Sequence, residues 1–157
     1  MKAFNPYLIF NGNCRQAMEF YAKSLGADLQ VMTYGEGPGG GPGCEIPLEA
    51  RDKVMHARLQ KGSAILMASD ATPDRAVSLG TNFWVNLDCE SVPEIERSFS
   101  ALSDGAKITM PLQGTFWAAR FGMLTDKFGI NWMLNLEQPK AAHHTDQPED
   151  ANVLATT

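Results

Sequence analysis

One short stretch of this chain occurs twice. Ala22-Lys23-Ser24-Leu25-Gly26-Ala27-Asp28 returns in outline as Ala101-Leu102-Ser103-Asp104-Gly105-Ala106-Lys107, 79 residues later, which is half the length of a 157-residue chain. In each copy a helical pattern closes on glycine and runs into an alternating strand. The chain is therefore expected to make one small unit twice. The two halves are expected to pair and leave a shared cleft between them, and function is expected to sit in that cleft.

The first copy opens with a short strand over Pro6 to Phe10. Asn11-Gly12-Asn13 then gives a turn with an N-cap side chain able to accept from a free backbone N–H. Ala17, Met18, Phe20, Tyr21 and Leu25 recur at three- and four-residue spacing and define a helix with one apolar stripe, read as core packing. Gly26 is placed as the residue past its end that tolerates positive φ. Strands are expected over Leu29 to Tyr34, Lys53 to Gln60 and Ser63 to Ser69, the last two joined as a hairpin at Lys61-Gly62. After a polar link from Asp70 to Gly80 the pattern restarts: a strand over Asn82 to Asp88, and a helix capped near Ser91 with Pro93 in its first turn. Gly105 ends that helix, and strands follow over Lys107 to Gln113, Phe116 to Leu124 and Ile130 to Leu136. The order is β-α-β-β-β twice, in a single domain over 1–137 with modules over about 4–70 and 81–136. A polar tail is expected over 138–157, and His143 and His144 fall in it.

Composition narrows the class. With 44% apolar and 20% charged residues the chain can bury a core, and it contains no apolar run long enough to span a bilayer. Met1 to Phe10 lacks the features of an export signal, so the expected address is the cytoplasm. A net charge of −5 without a cluster of Lys and Arg argues against nucleic acid and anionic membranes as partners. The three cysteines, Cys14, Cys44 and Cys89, fit neither a disulfide framework nor a zinc site and read as free thiols. Cys14 stands at a helix start, where the dipole can lower a thiol's pKa, so it is either a nucleophile or a structural thiol. The glycine-rich segment Gly35 to Gly43, with six glycines and two prolines, has neither the Lys-Ser/Thr of a phosphate loop nor a dinucleotide spacing. It reads either as a flap over a pocket mouth or as a solvated hairpin loop.

Alternation along the strands assigns their faces. Met55, Ala57 and Leu59 form one row with Val54, His56 and Arg58 opposite. Phe83, Val85 and Leu87 form another, with Asn82, Trp84, Asn86 and Asp88 opposite. With the apolar rows under the helices, the concave side is expected to carry His56, Arg58, Trp84 and Asn86, joined by Met133 and Asn135 from the last strand. His56 is the only histidine before the tail, and it either transfers a proton, grips an anion or serves as a satisfied structural imidazole. Trp117 and Trp84 are either platforms for a flat ligand or filler. Arg120 and Arg58 are either partners of a ligand carboxylate or phosphate or solvated surface groups.

Several segments together resemble the PhnB-like branch of the glyoxalase/bleomycin-resistance superfamily, the vicinal oxygen chelate proteins. These are Pro6-Tyr7-Leu8-Ile9-Phe10-Asn11-Gly12, Ala17 to Gly26 around Phe20-Tyr21, Met67-Ala68-Ser69-Asp70, Thr115-Phe116-Trp117-Ala118, and Thr125-Asp126-Lys127-Phe128-Gly129-Ile130-Asn131-Trp132. The resemblance spans about residues 4 to 136. It implies an α+β fold of two βαβββ modules with a cupped mixed sheet, and usually a homodimer. Metal-using members place His or Glu at inward positions that fall here at Pro6, near Met67, at Asn82 and at Met133, none of them a good ligand for a divalent ion. No metal and no cofactor is therefore expected. A site rebuilt from His56 with Asp70 or Asp88 is the alternative. Some relatives carry a demethylubiquinone methyltransferase label, which the sequence does not support, because the glycine-rich strand-to-helix turn common for S-adenosylmethionine is absent.

The reading that follows is a metal-independent small-molecule-binding protein that holds its ligand in the cleft against His56, Arg58, Trp84, Asn86, Trp117, Arg120, Met133 and Asn135. His56 is the catalytic candidate if any chemistry occurs. The alternatives are a lyase, isomerase or dioxygenase with a noncanonical metal set, and a structural dimer without a ligand.

Overall fold

The computed structural model describes residues 3–37, 46–72 and 75–139. Most of the expected flap, Cys44, and the tail with its two histidines lie outside these residues. Two βαβββ modules follow one another: β1 Tyr7–Phe10, α1 Cys14–Leu25, β2 Asp28–Thr33, β3 Val54–Lys61 and β4 Ala64–Asp70, then β5 Val85–Asp88, α2 Val92–Leu102, β6 Lys107–Gln113, β7 Ala118–Thr125 and β8 Asn131–Glu137. Each module makes a four-stranded mixed sheet, in the orders β1-β4-β3-β2 and β5-β8-β7-β6. The first and last strands of each module pair in parallel, and the remaining pairs are antiparallel. The repeated sequence is thus a repeated topology.

The helix ends explain why the copies resemble each other. Gly26 closes α1 in the left-handed region at φ 61°, and Gly105 lies just past α2 at φ 70°. Ser91 caps α2 by accepting from the Glu94 N–H. Asn13 does not cap α1 with its side chain; instead the buried Asp70 carboxylate, at the end of β4, accepts from the N–H groups of Cys14 at 3.0 Å and Val54 at 2.8 Å. One carboxylate thereby ties the start of α1 to the last two strands of its own sheet.

Leu8, Phe10, Ala57, Leu59, Leu66 and Ala68 from the first sheet share a single core with Val85, Leu124, Trp132 and Leu134 from the second. Met18, Tyr21, Ile95 and Leu102 of the two helices lie in that core with almost no exposed surface. Each such side chain contributes about 1.5–3 kcal/mol. The helices also pack against each other, and Tyr21 of α1 meets Trp132 of β8 edge-on with ring centres 5.1 Å apart.

The helix-facing sides of both sheets contribute to one shared core. Two row assignments change. A register shift between Met32 and Thr33 turns Val54 into the core, not onto the open face. Phe83 is 56% exposed because β5 begins only at Val85, so it does not continue the buried row. No helix among the described residues is long and apolar enough to cross a membrane.

Candidate functional site

The open face of the first sheet carries one cross-strand row formed by Tyr7, Met67, Arg58 and Gln30, each paired with the next. Beside it stand Ile9, His56 and Met32, and Met32 pairs with His56. Tyr7 Oη lies 3.3 Å from His56 Nδ1, with the two rings tilted at a centre distance of 5.8 Å. Arg58 donates to Gln60 Oε1 at 3.0 Å, which steadies its guanidinium along the strand. Tyr7 is 45% exposed, and Ile9 and Met32 are similarly open. A phenol, an imidazole and a guanidinium thus stand among apolar side chains on one accessible surface.

The second sheet presents two rows on its open side: Asp88, Asn135 and Phe121, and next to them Asn86, Met133 and Met123. Asn135 Nδ2 donates to Asp88 Oδ1 at 2.9 Å. The first row continues as an aromatic ladder, because Trp117 meets Phe121 at 5.7 Å and Phe116 meets Trp117 at 4.6 Å, both edge-on. Half of the Trp117 surface is exposed. Such a ladder beside a fixed carboxamide offers a flat ligand contact area and one orienting hydrogen bond.

The structure divides the residues singled out from sequence. His56 and Arg58 stand on the first face, while Asn86, Met133, Asn135 and Trp117 stand on the second. Trp84 precedes β5, partly buried and outside the ladder. Arg120 does not line the open face. It pairs with Leu136 and, by strand alternation, shares the side of Gly122 and Leu124 that faces the helix, and its Nη1 donates to the Ala119 carbonyl. Tyr7 and Phe121, which the sequence reading did not single out, share the open faces with His56 and Asn135. The alternation of Tyr7 and Ile9 with Leu8 and Phe10 carries the signal for the first of these.

Cys14 is no nucleophile: it is fully buried, and burial followed by the Asp70 carboxylate pushes its thiol up to about 12. Burial, then the Glu94 carboxylate, also raises Cys89, to about 11. Both thiols stay protonated at neutral pH.

The donor set at the superfamily's metal positions does not fit a divalent ion. Met67 and Met133 offer thioethers, Asn82 a carboxamide and Pro6 no side-chain donor, and the Pro6 carbonyl already accepts from the Met67 N–H. The rebuilt set fails on geometry, since Asp70 sits in the interior holding Cys14 and Val54, and Asp88 belongs to the other sheet. Among the described residues, no three His, Cys, Asp or Glu side chains converge. S-adenosylmethionine fares no better. The turn after β1 has one glycine, and both polar ends of the Asn11 side chain are bound to Val77.

Comparison with known proteins agrees with the architecture. The family model described as 3-demethylubiquinone-9 3-methyltransferase matches residues 2–135. The chain is 38% identical over 143 residues to protein YjdN of Escherichia coli K12, covering 86% of this chain and 97% of that protein. The crystal structure of protein PA1353 from Pseudomonas aeruginosa matches with a TM-score of 0.76 at 46% identity, over 87% of this chain and 98% of the other. A Bacillus cereus structure described as a putative 3-demethylubiquinone-9 3-methyltransferase, PhnB protein, matches with a TM-score of 0.66 at 25% identity, over 85% and 98%. At 13% identity, a glyoxalase/bleomycin resistance protein/dioxygenase family enzyme from Burkholderia phytofirmans shares the fold alone, with a TM-score of 0.56 over 85% and 97%.

Proposed function

The chain belongs to the family described as 3-demethylubiquinone-9 3-methyltransferase, the PhnB-like branch of the glyoxalase/bleomycin-resistance superfamily, and from that premise we propose that it is a metal-independent small-molecule-binding protein. Its ligand lies against the open sheet faces, and a second copy of the chain completes the enclosure. The face with Tyr7, His56 and Arg58 in one copy then opposes the face with Met133, Asn135 and Trp117 in the other. The observation that carries this reading is the accessible apolar surface: Tyr7, Ile9 and Met32 on one sheet, and the Phe116–Trp117–Phe121 ladder on the other. Monomers rarely leave apolar patches of this kind uncovered. The ligand chemistry that suits the pair of faces is an aromatic body with an anionic or hydrogen-bonding substituent, the ring on Trp117 and the substituent at Arg58 or His56.

Sedimentation of the purified protein should give a dimer at micromolar concentration. A thermal-shift panel of aromatic acids and antibiotics should then yield compounds that raise the melting temperature with or without chelator. Trp117→Ala and Arg58→Ala should each weaken those compounds about tenfold. A monomer, a panel with no stabilising member, or unchanged affinity in both variants overturns the reading.

A further inference from the structure

On the open face of the first sheet a phenol lies within hydrogen-bond reach of an imidazole, and the contact decides what that imidazole can offer a ligand. Tyr7 Oη and His56 Nδ1 are 3.3 Å apart. In an uncharged imidazole one nitrogen carries the proton and the other accepts, and the bond made by one sets the role of the other. The phenol O–H is the natural donor to a basic ring nitrogen, so Tyr7 donates to Nδ1 and the ring proton sits on Nε2. We propose that Tyr7 fixes His56 as an Nε2–H donor, and that His56 and Arg58 together take a carboxylate carried by an aromatic ligand. This assignment rests on the ligand-binding function proposed above and narrows its ligand from an anionic or hydrogen-bonding substituent to an oxyanion acceptor.

His56 and Arg58 stand two residues apart on one face of β3, about 6.5 Å along the strand, so both side chains can meet one carboxylate. Arg58 gives one N–H to Gln60 and enters no ion pair among the described residues, which leaves its other N–H groups for a ligand. Asp28 shares the face but stands one row further along, paired with Gln60. The Nε2–H and the guanidinium both donate and neither accepts, so an oxyanion satisfies them and an ammonium does not. Tyr7 is a positioning residue: it acts on the ligand through the His56 ring.

Nitrogen NMR of the ligand-free full chain in mildly alkaline buffer tests the tautomer, in the resonances that His56→Phe removes. Nδ1 should be unprotonated and Nε2 should carry the proton, and Tyr7→Phe should move both toward the mixture of a free imidazole. Calorimetric titration with 2-naphthoate, 2-naphthylmethylamine and naphthalene then tests the selectivity. 2-Naphthoate should bind about tenfold more tightly than the amine. His56→Phe should weaken it about five- to tenfold and Tyr7→Phe about threefold, with naphthalene unchanged in both, a contrast that a purely structural role would not produce. Should either variant fail to fold, the resonances of the parent chain and its preference between the two charged probes decide. A proton on Nδ1, an amine that binds as tightly as the carboxylate, or equal losses for naphthalene overturns the inference and leaves the binding function standing. Failure of 2-naphthoate to bind also overturns the inference, and failure of the whole compound panel overturns the function with it.

Discussion

Each module sends the turn between its last two strands across to the other module's helix, and the two turns hold by different chemistry. The β3–β4 turn has two residues between its strands and reaches over with Lys61, whose ammonium meets Glu94 near the start of α2 and the carbonyl of Leu25. The β7–β8 turn has five, and it inserts Asp126, which is 4% exposed. That carboxylate accepts from Tyr21 Oη at 2.6 Å, Trp132 Nε1 at 2.8 Å, and the Phe128 and Ile130 N–H groups at 2.8 and 3.0 Å. The longer turn supplies its own two backbone donors, which offset the desolvation of a buried charge. The shorter turn can offer only a side chain in water. Topological twins thus differ in strength: one clasp fixes the modules, and the other merely touches them.

Removing the buried acceptor tests this most severely. Asp126→Ala leaves the phenol, the indole N–H and two backbone donors without their acceptor, and should lower the unfolding free energy by about 3–5 kcal/mol. Urea denaturation measures it, and a loss below about 1 kcal/mol would erase the distinction between the turns. Tyr21→Phe removes one hydrogen bond to the charge and should lose about 1.5–3 kcal/mol. The same contact, after burial, holds the Tyr21 phenol well above its ordinary range. A raised folded value means that its contribution is complete below the ordinary pH of phenol ionisation and fades only as the solution becomes more alkaline.

The helices sharpen the contrast from a second direction. Gly122 on β7 faces α2, and a Cβ there would stand 2.7 Å from the Phe99 ring and 3.2 Å from the Leu112 backbone. Gly122→Ala should therefore push α2 off its sheet and lose about 1–3 kcal/mol. In the first module Gly62 has open space around its Cβ position, and only its positive φ resists a side chain. Gly62→Ala should lose about 1 kcal/mol, and thermal melts of the pair rank them. Equal effects would mean that α2 packs no more tightly than the turn.

Much of this was legible in the sequence because local rules decide it. Gly26 and Gly105 end helices for the same steric reason, and the alternation of Leu8 and Phe10 with Tyr7 and Ile9 needs only the pleat. The orientation of the modules was not legible. It depends on Tyr21 finding Asp126 and Trp132, partners more than a hundred residues away that no local pattern announces. Val54 lies just past a shift in strand register, and one extra residue sends the side chains beyond it to the opposite face. Phe83 left the buried row because β5 begins only at Val85. Cys14 failed as a nucleophile for a related reason, since the Asp70 carboxylate that caps its helix arrives from β4.

The weakest link should be visible only through its pH dependence. Lys61, then the Glu90 backbone N–H, holds the Glu94 carboxyl below its ordinary value of 4.5. A lowered folded value means that this contribution is complete above pH 4.5 and disappears as the pH falls through the folded value. Both side chains reach solvent, so the pair is worth less than about 1 kcal/mol and salt weakens it further. Glu94→Gln should therefore melt slightly below the parent chain at pH 7 in low salt, and the two melting temperatures should converge both as the pH falls below the folded value of Glu94 and in molar salt. A gap that survives acid would locate the effect of Glu94 in its backbone hydrogen bond at the start of α2, not in the link between the modules.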